Sequence, residues 1–135
     1  MISYHIEPNL SPTEFKDVLI KSTLGERRPI DDLDRIKAMV DNASLIITAR
    51  DKGTLVGVSR AITDVVYCTY LSDLAVDENY QKLGIGKELI RLTKKETPKA
   101  TLILLAAPAA VEYYPHIGMT KTDVCFLLKD LNSLK

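Results

Sequence analysis

LAVDENYQKLGIGKELIRL, residues 74–92, runs from an apolar strand end through a polar turn and a glycine pair into an amphipathic helix. A strand that feeds a glycine-relaxed helix start is an anion cradle. The first helical N–H groups have no intrahelical partner, and glycine lets a phosphate approach them closely. Gly84 and Gly86 stand where such a cradle needs bare backbone. Lys87 sharpens the reading. A cation in the first turn opposes the positive end of the helix dipole by roughly a few tenths of a kcal/mol, unless an anion sits there. The competing reading is a solvated lysine on an ordinary helix, with glycines that serve only a tight turn. Two commoner glycine motifs do not fit. A P-loop has four residues between its glycines and a Ser or Thr after the lysine, where this chain has Glu88. A dinucleotide fingerprint wants a third glycine where this chain has Leu89.

Upstream, Ile2–Glu7 alternates apolar and polar residues, the period of a half-covered strand with His5 on its other face. Ser11-Pro12-Thr13-Glu14 predicts a helix start: a serine cap, proline first, and glutamate closing the capping box. Phe15, Val18, Leu19 and Ser22 then share the inner face, and Gly25 ends the helix in a left-handed turn. Glu26–Asp31 reads as a polar loop whose Arg27 and Arg28 are either solvated or a positive rim for an anionic acceptor. Asp32 caps a second helix with Leu33, Ile36, Val40 and Ala43 on its buried stripe. Leu45–Arg50 and Leu55–Ile62, joined at Asp51-Lys52-Gly53, make an antiparallel hairpin.

Val65–Val76 is apolar on both faces, as a central strand covered by helices would be. The helix Ile85–Glu96 turns Ile85, Leu89 and Leu92 inward and stops at Pro98. Ala100–Ala106 is the next strand, parallel to 65–76 because a helix crosses between them. A short helix Ala109–His116, a break at Gly118-Met119, a closing strand Val124–Leu128 and a polar tail complete the chain. The expected fold class is α/β, with a central mixed, mostly antiparallel sheet, helices on both faces, and one parallel strand pair.

At 135 residues, the expectation is a single domain over residues 1–135. Lysine and arginine (18) balance aspartate and glutamate (18), so net charge draws the chain to neither nucleic acid nor membrane. The N-terminus lacks the basic region and apolar core of a signal peptide, and no apolar run approaches a membrane span. Cys68 and Cys125 lie in apolar runs and read as small buried hydrophobes of a reducing cytoplasm, with no metal-ligand spacing.

Gln81-Lys82-Leu83-Gly84-Ile85-Gly86 resembles the Gln/Arg-x-x-Gly-x-Gly/Ala signature of the GNAT superfamily of N-acetyltransferases, which bind the pyrophosphate of acetyl-coenzyme A there. Ala110–Met119, AVEYYPHIGM, is similar to the family's Ala-x-x-Phe/Tyr-Tyr-x-x-x-Gly-Phe segment, with Met119 for the usual phenylalanine. The element order agrees with that family over nearly the whole chain. One departure stands out: where many members carry an asparagine three residues before the alanine of that segment, this chain has Ala107.

The resemblance implies an acetyl-CoA cosubstrate, held by Gln81, Lys82, Leu83, Gly84, Ile85, Gly86 and Lys87 at its diphosphate and by the strand end Leu74-Ala75-Val76 along its pantetheine arm. It also implies that the fourth strand splays from the fifth, so that a main-chain N–H there faces the thioester oxygen. Tyr114 takes the place of the family's general acid, and Tyr113 reads as the core residue of the pair. With a phenol near pH ~10 and a thiol near ~8.5, that proton transfer is uphill by roughly 2 kcal/mol. For the base, Asp73 is first, Asp64 second, and a water chain the third possibility. The implied reaction is direct attack by a primary amine of a small molecule or peptide in a ternary complex. A non-catalytic acyl-CoA binding module is the alternative, and a homodimer through a sheet edge is a third reading.

Overall fold

Five strands, β1 (Ile2–Ile6), β2 (Leu45–Asp51), β3 (Thr54–Thr63), β4 (Cys68–Val76) and β5 (Thr101–Ile103), lie side by side in chain order in the computed structural model, which describes Met1–Lys135. The pairs β1–β2, β2–β3 and β3–β4 are antiparallel, and β4–β5 is parallel. This is the expected mixed sheet. The chain divides into two compact units, Met1–Leu105 and Ala106–Lys135, and the sheet belongs to the first.

Helices cover both faces of the sheet. On one face α1 (Pro12–Lys21) and α2 (Leu33–Asp41) bury Phe15, Val18, Leu19, Ile36 and Val40 against Ile46, Val58 and Ala75. On the other, α3 (Ile85–Glu96) sets Ile85 and Leu89 against Ile47, Ala49 and Val56. Ser11 caps α1, accepting from Glu14 N–H at 3.3 Å, and Asp32 caps α2, accepting from Arg35 N–H at 3.0 Å. Lys52 and Gly53 both take positive φ (50° and 87°), as a two-residue hairpin turn between β2 and β3 requires.

Several expectations change. The Glu14 carboxylate does not close a capping box. It accepts instead from Arg50 at 2.7 Å, while Arg50 also grips Glu7 through Nε (2.8 Å) and Nη2 (2.9 Å). Those contacts pin the start of α1 to the end of β2, and they hold the Glu7 carboxyl below its usual range. The left-handed residue after α1 is Thr23 (φ 69°), not Gly25. Gly25 is needed for space, because a Cβ there would meet the Leu19 carbonyl at 3.2 Å. Leu33, in the first turn of α2, is 54% exposed, so the buried stripe begins one turn later at Ile36.

β4 starts at Cys68 rather than Val65 because the Asp64 carboxylate gathers the N–H groups of Val66, Tyr67 and Cys68 at 2.8–3.1 Å. That turn forces Val65 to φ 75°, a conformation rare for a β-branched residue. Cys68 and Cys125 are both exposed, against the expected burial. β5 is shorter than Ala100–Ala106.

In the second unit, the run Val124–Leu128 forms no strand, and the sheet ends at β5. A strand exists only through a partner's ladder, and none pairs here; Phe126 is 89% exposed. The expected helix Ala109–His116 is a 3₁₀ turn, Pro108–Ala110, followed by the single-turn α4 (Tyr113–His116), with Gly118 at φ 103° after it. The tail carries one turn of 3₁₀ helix, Leu131–Ser133.

The seat of α3 depends on one residue. A Cβ on Gly57 of β3 would meet Ile85 Cγ2 at 3.1 Å, Leu89 Cδ1 at 3.2 Å and Ala49 Cβ at 3.3 Å. Farther along α3, hydroxyls replace apolar contacts: Ser59 and Thr93 share a 2.7 Å hydrogen bond, and Thr69 donates to Thr97 at 2.9 Å. Gly57→Ala is expected to overpack this seam and cost about 1–3 kcal/mol. The urea midpoint should fall by the corresponding amount at unchanged m-value; an unshifted midpoint would refute the close-approach role of Gly57.

Candidate functional site: a forked strand pair beside an uncapped helix

β4 and β5 are paired only from Cys68–Thr101 to Tyr70–Ile103. Beyond that rung β4 continues to Val76 with no strand on its β5 side. Which main-chain groups face this opening follows from the antiparallel ladder on its other edge. Asp77 N–H donates to the Val56 carbonyl at 2.8 Å, so hydrogen-bonded pairs alternate from there and Ala75 bonds Val58. The N–H and C=O groups of Leu74 and Val76 therefore point into the fork. Gln81 Nε2 donates to the Val76 carbonyl at 3.1 Å, which leaves the Leu74 groups and the Val76 N–H free.

The loop from β4 to α3 is built tightly. Asp77 accepts from Asn79 N–H at 2.9 Å and starts a 3₁₀ turn, Glu78–Tyr80. Tyr80 donates its hydroxyl to Asp51 at the end of β2 at 2.7 Å. Lys82 and Gly84 then take left-handed conformations (φ 67° and 81°), and α3 begins. Its first internal bond runs from Glu88 N–H to the Gly84 carbonyl at 3.0 Å. Unlike α1 and α2, α3 has no side-chain cap. The amides of Ile85, Gly86 and Lys87 are thus open donors at the positive end of a twelve-residue helix. Lys82 and Lys87 are exposed and unpaired, whereas Glu88, the acid of that first turn, is occupied by Arg91 at 2.8 Å.

Asp73 is a correction. Its side chain is 0% exposed and lies between two arginines: Arg28 donates to Oδ1 and Arg60 to Oδ2. Closed to solvent and engaged on both oxygens, this carboxylate has no face open to an incoming ammonium. It is a structural anchor, and losing one partner of such a buried pair costs about 3–5 kcal/mol. The same contacts answer the question about Arg28, which is turned into the sheet, while Arg27 stays exposed. Sequence reasoning missed the pairing because the partners are 13 and 45 residues away from Asp73.

Asp64 serves no better as a base. It sits in the turn at the opposite end of β4, and the backbone N–H groups of Tyr67, Cys68 and Val66 hold its carboxyl below the usual range.

In the second unit, Tyr113 and Tyr114 meet edge to face with ring centroids 5.3 Å apart. Tyr114, rather than Tyr113, is the more buried of the two. Burial, and then the neighbouring Tyr113, push the Tyr114 phenol above its ordinary value, which makes it a weaker acid than the free side chain.

Comparison with known proteins agrees with this geometry. A family model described as an acetyltransferase (GNAT) domain matches residues 27–127. An uncharacterised N-acetyltransferase, ycf52, of Pyropia yezoensis is 29% identical over 127 residues, covering 80% of this chain and 73% of that protein. A GNAT-family acetyltransferase from Streptococcus pneumoniae TIGR4 has the same fold, with a TM-score of 0.77 at 18% identity over 96% of this chain and 100% of that one. So does AAC(6')-Iy in complex with the bisubstrate analogue CoA-S-monomethyl-acetylneamine, with a TM-score of 0.73 at 11% identity over 96% and 98% of the two chains. A forked parallel pair, an uncapped glycine helix start and a matched domain over most of the sequence have one reading: the chain belongs to the GNAT acetyltransferase family.

Proposed function

We propose that this acetyltransferase, acting as one domain over its 135 residues, moves the acetyl group of acetyl-CoA to a primary amine of a small molecule or peptide. The observation that carries the proposal is the fork: free main-chain groups at Leu74 and Val76 beside open donors at Ile85–Lys87. The diphosphate binds at Leu83–Lys87, flanked by the Lys82 and Lys87 charges, and Gln81 holds the loop in place. The pantetheine arm lies along Leu74-Ala75-Val76, where its amides complete the unfinished ladder. Remote anchoring of this kind turns binding energy into positioning of the reacting carbon. A strand N–H then faces the thioester oxygen, and losing such a donor in other enzymes costs about 2.7–4 kcal/mol.

The amine attacks directly. With Asp73 taken by arginines, its proton leaves to water, and Tyr114 returns a proton to the departing thiolate. The raised phenol stays loaded through the ordinary pH range, at the cost of a steeper transfer than free tyrosine would face. A non-catalytic acyl-CoA binding module is the second reading. It is favoured by the absence of a free carboxylate on β4 next to the fork.

Two measurements test the proposal. Gly84 holds φ 81°, where a Cβ costs about 1–2 kcal/mol. Gly84→Val is expected to weaken acetyl-CoA binding about tenfold by calorimetry, and no uptake by the native chain at saturating acetyl-CoA would end the acetyl-transfer reading. Tyr114→Phe should lower kcat by about 10²–10⁴ with little change in acetyl-CoA affinity. In the native chain the kcat profile should show no loss from this phenol until above about pH 10. Unchanged turnover in the variant removes Tyr114 from the mechanism, and no acetylated amine from any acceptor favours the binding module.

A further inference from the structure

Asp73 is held by more positive charge than it carries. Arg60 approaches from β3, directly across the ladder, and also donates to the Met39 carbonyl at the end of α2 at 3.1 Å. That pair is neutral, and it engages Oδ2 only. Arg28 is the additional cation, and it comes from elsewhere: the connection between α1 and α2.

The remaining bonds of the two guanidiniums converge on one residue. Arg28 Nη2 donates to the Ser72 carbonyl at 2.9 Å, and Arg60 Nη2 donates to the Ser72 hydroxyl at 3.0 Å. Ser72 is the extra residue of β4. The register steps from Arg60–Asp73 to Ala61–Leu71 and leaves it without a partner on β3. An extra residue bends its strand and increases its twist. The bend falls two residues after the last β4–β5 rung, at Tyr70, and two before Leu74, whose main-chain groups face the fork. The clamp therefore sits on the bend that opens the fork.

We infer that Arg28 is a positioning residue that couples the α1–α2 connection to the bend of β4 at Ser72. Ordering of that connection thereby sets the direction of the Leu74 N–H. The kinetic consequence rests on the acetyl-transfer reading; the coupling does not. Arg60 still pairs Oδ2 when Arg28 is changed, so the buried charge keeps one cation although Oδ1 loses its donor.

The test uses the full chain and Arg28→Gln. By amide hydrogen exchange without ligand, protection should fall about tenfold in two places at once. One is the connection, where the Ile30 and Asp32 N–H groups bond the Arg28 and Pro29 carbonyls; the other is Ala75 on β4 and Asp77 just after it. β1 and β2 should not change. With acetyl-CoA and the amine giving the fastest thiol release from a panel of spermidine, kanamycin, amino acids and short peptides, kcat should fall about tenfold, and acetyl-CoA affinity should hold within about twofold. Arg28→Lys, which keeps the charge but not the planar fork of donors, should recover part of kcat. Loss of protection confined to the connection would overturn the coupling. So would an unchanged kcat, or acetyl-CoA affinity falling in step with the unfolding midpoint. If the native chain acetylates no amine, the transfer reading fails while the exchange measurement still decides the coupling.

Discussion

A carboxylate removed entirely from water loses several kcal/mol of hydration unless charged donors replace it. Asp73 is in that position, and much of the site follows from how the fold meets the requirement. Both oxygens need a guanidinium, so Arg60 must face Asp73 across the β3–β4 ladder and Arg28 must reach the sheet from the far connection. Satisfying them brings the Ser72 carbonyl and hydroxyl into the same cluster. The bulge at Ser72 falls shortly after the ladder of β4 with β5 stops. Asp73, which reads in sequence as a candidate base, lies buried between two arginines beside the bulge at Ser72.

The second constraint is how close α3 lies to the sheet. Gly57 removes the one Cβ that would hold the helix away, so Ile85 and Leu89 drop onto β2 and β3. The buried stripe then continues in steps of four through Thr93 and Thr97, whose hydroxyls pair with Ser59 and Thr69. Buried hydroxyls cost free energy unless bonded, and these are bonded to one another and to helix carbonyls. Packed by methyl groups at one end and hydroxyl pairs at the other, α3 presents its open N-terminus at a fixed height beside the fork.

This division explains what could be read from the sequence. Periodicity gave β1, α1, α2, the hairpin and both ends of α3, because each depends on neighbours within a turn or a strand. The glycine motif marked the uncapped start of α3 because a left-handed residue at Gly84 is a local demand. Asp73, Gly57 and Thr93 were opaque for the opposite reason: their roles depend on Arg28, Ile85 and Ser59, all distant in sequence. Polar type misled as well. Thr93 and Thr97 are as buried as Leu89, while Leu33, Cys68 and Phe126 are exposed. Val124–Leu128 has the composition of a strand, but composition supplies no ladder.

The ladder turns the main-chain groups of Leu74 and Val76 into the fork. Side chains matter there mainly by bending β4, seating α3 or allowing φ above zero, and few positions are constrained in that way. Amides at Leu74, Val76 and Ile85–Lys87 can be presented by many sequences, provided that a glycine turns the loop and that the bend holds. A chain only 18% identical to the pneumococcal acetyltransferase has the same fold, with a TM-score of 0.77. Arg28 of the α1–α2 connection bonds the Asp73 carboxylate and the Ser72 carbonyl of β4, well away in sequence from the start of α3. Two segments distant in sequence, the α1–α2 connection and the bulge of β4, thus meet at one buried charge cluster.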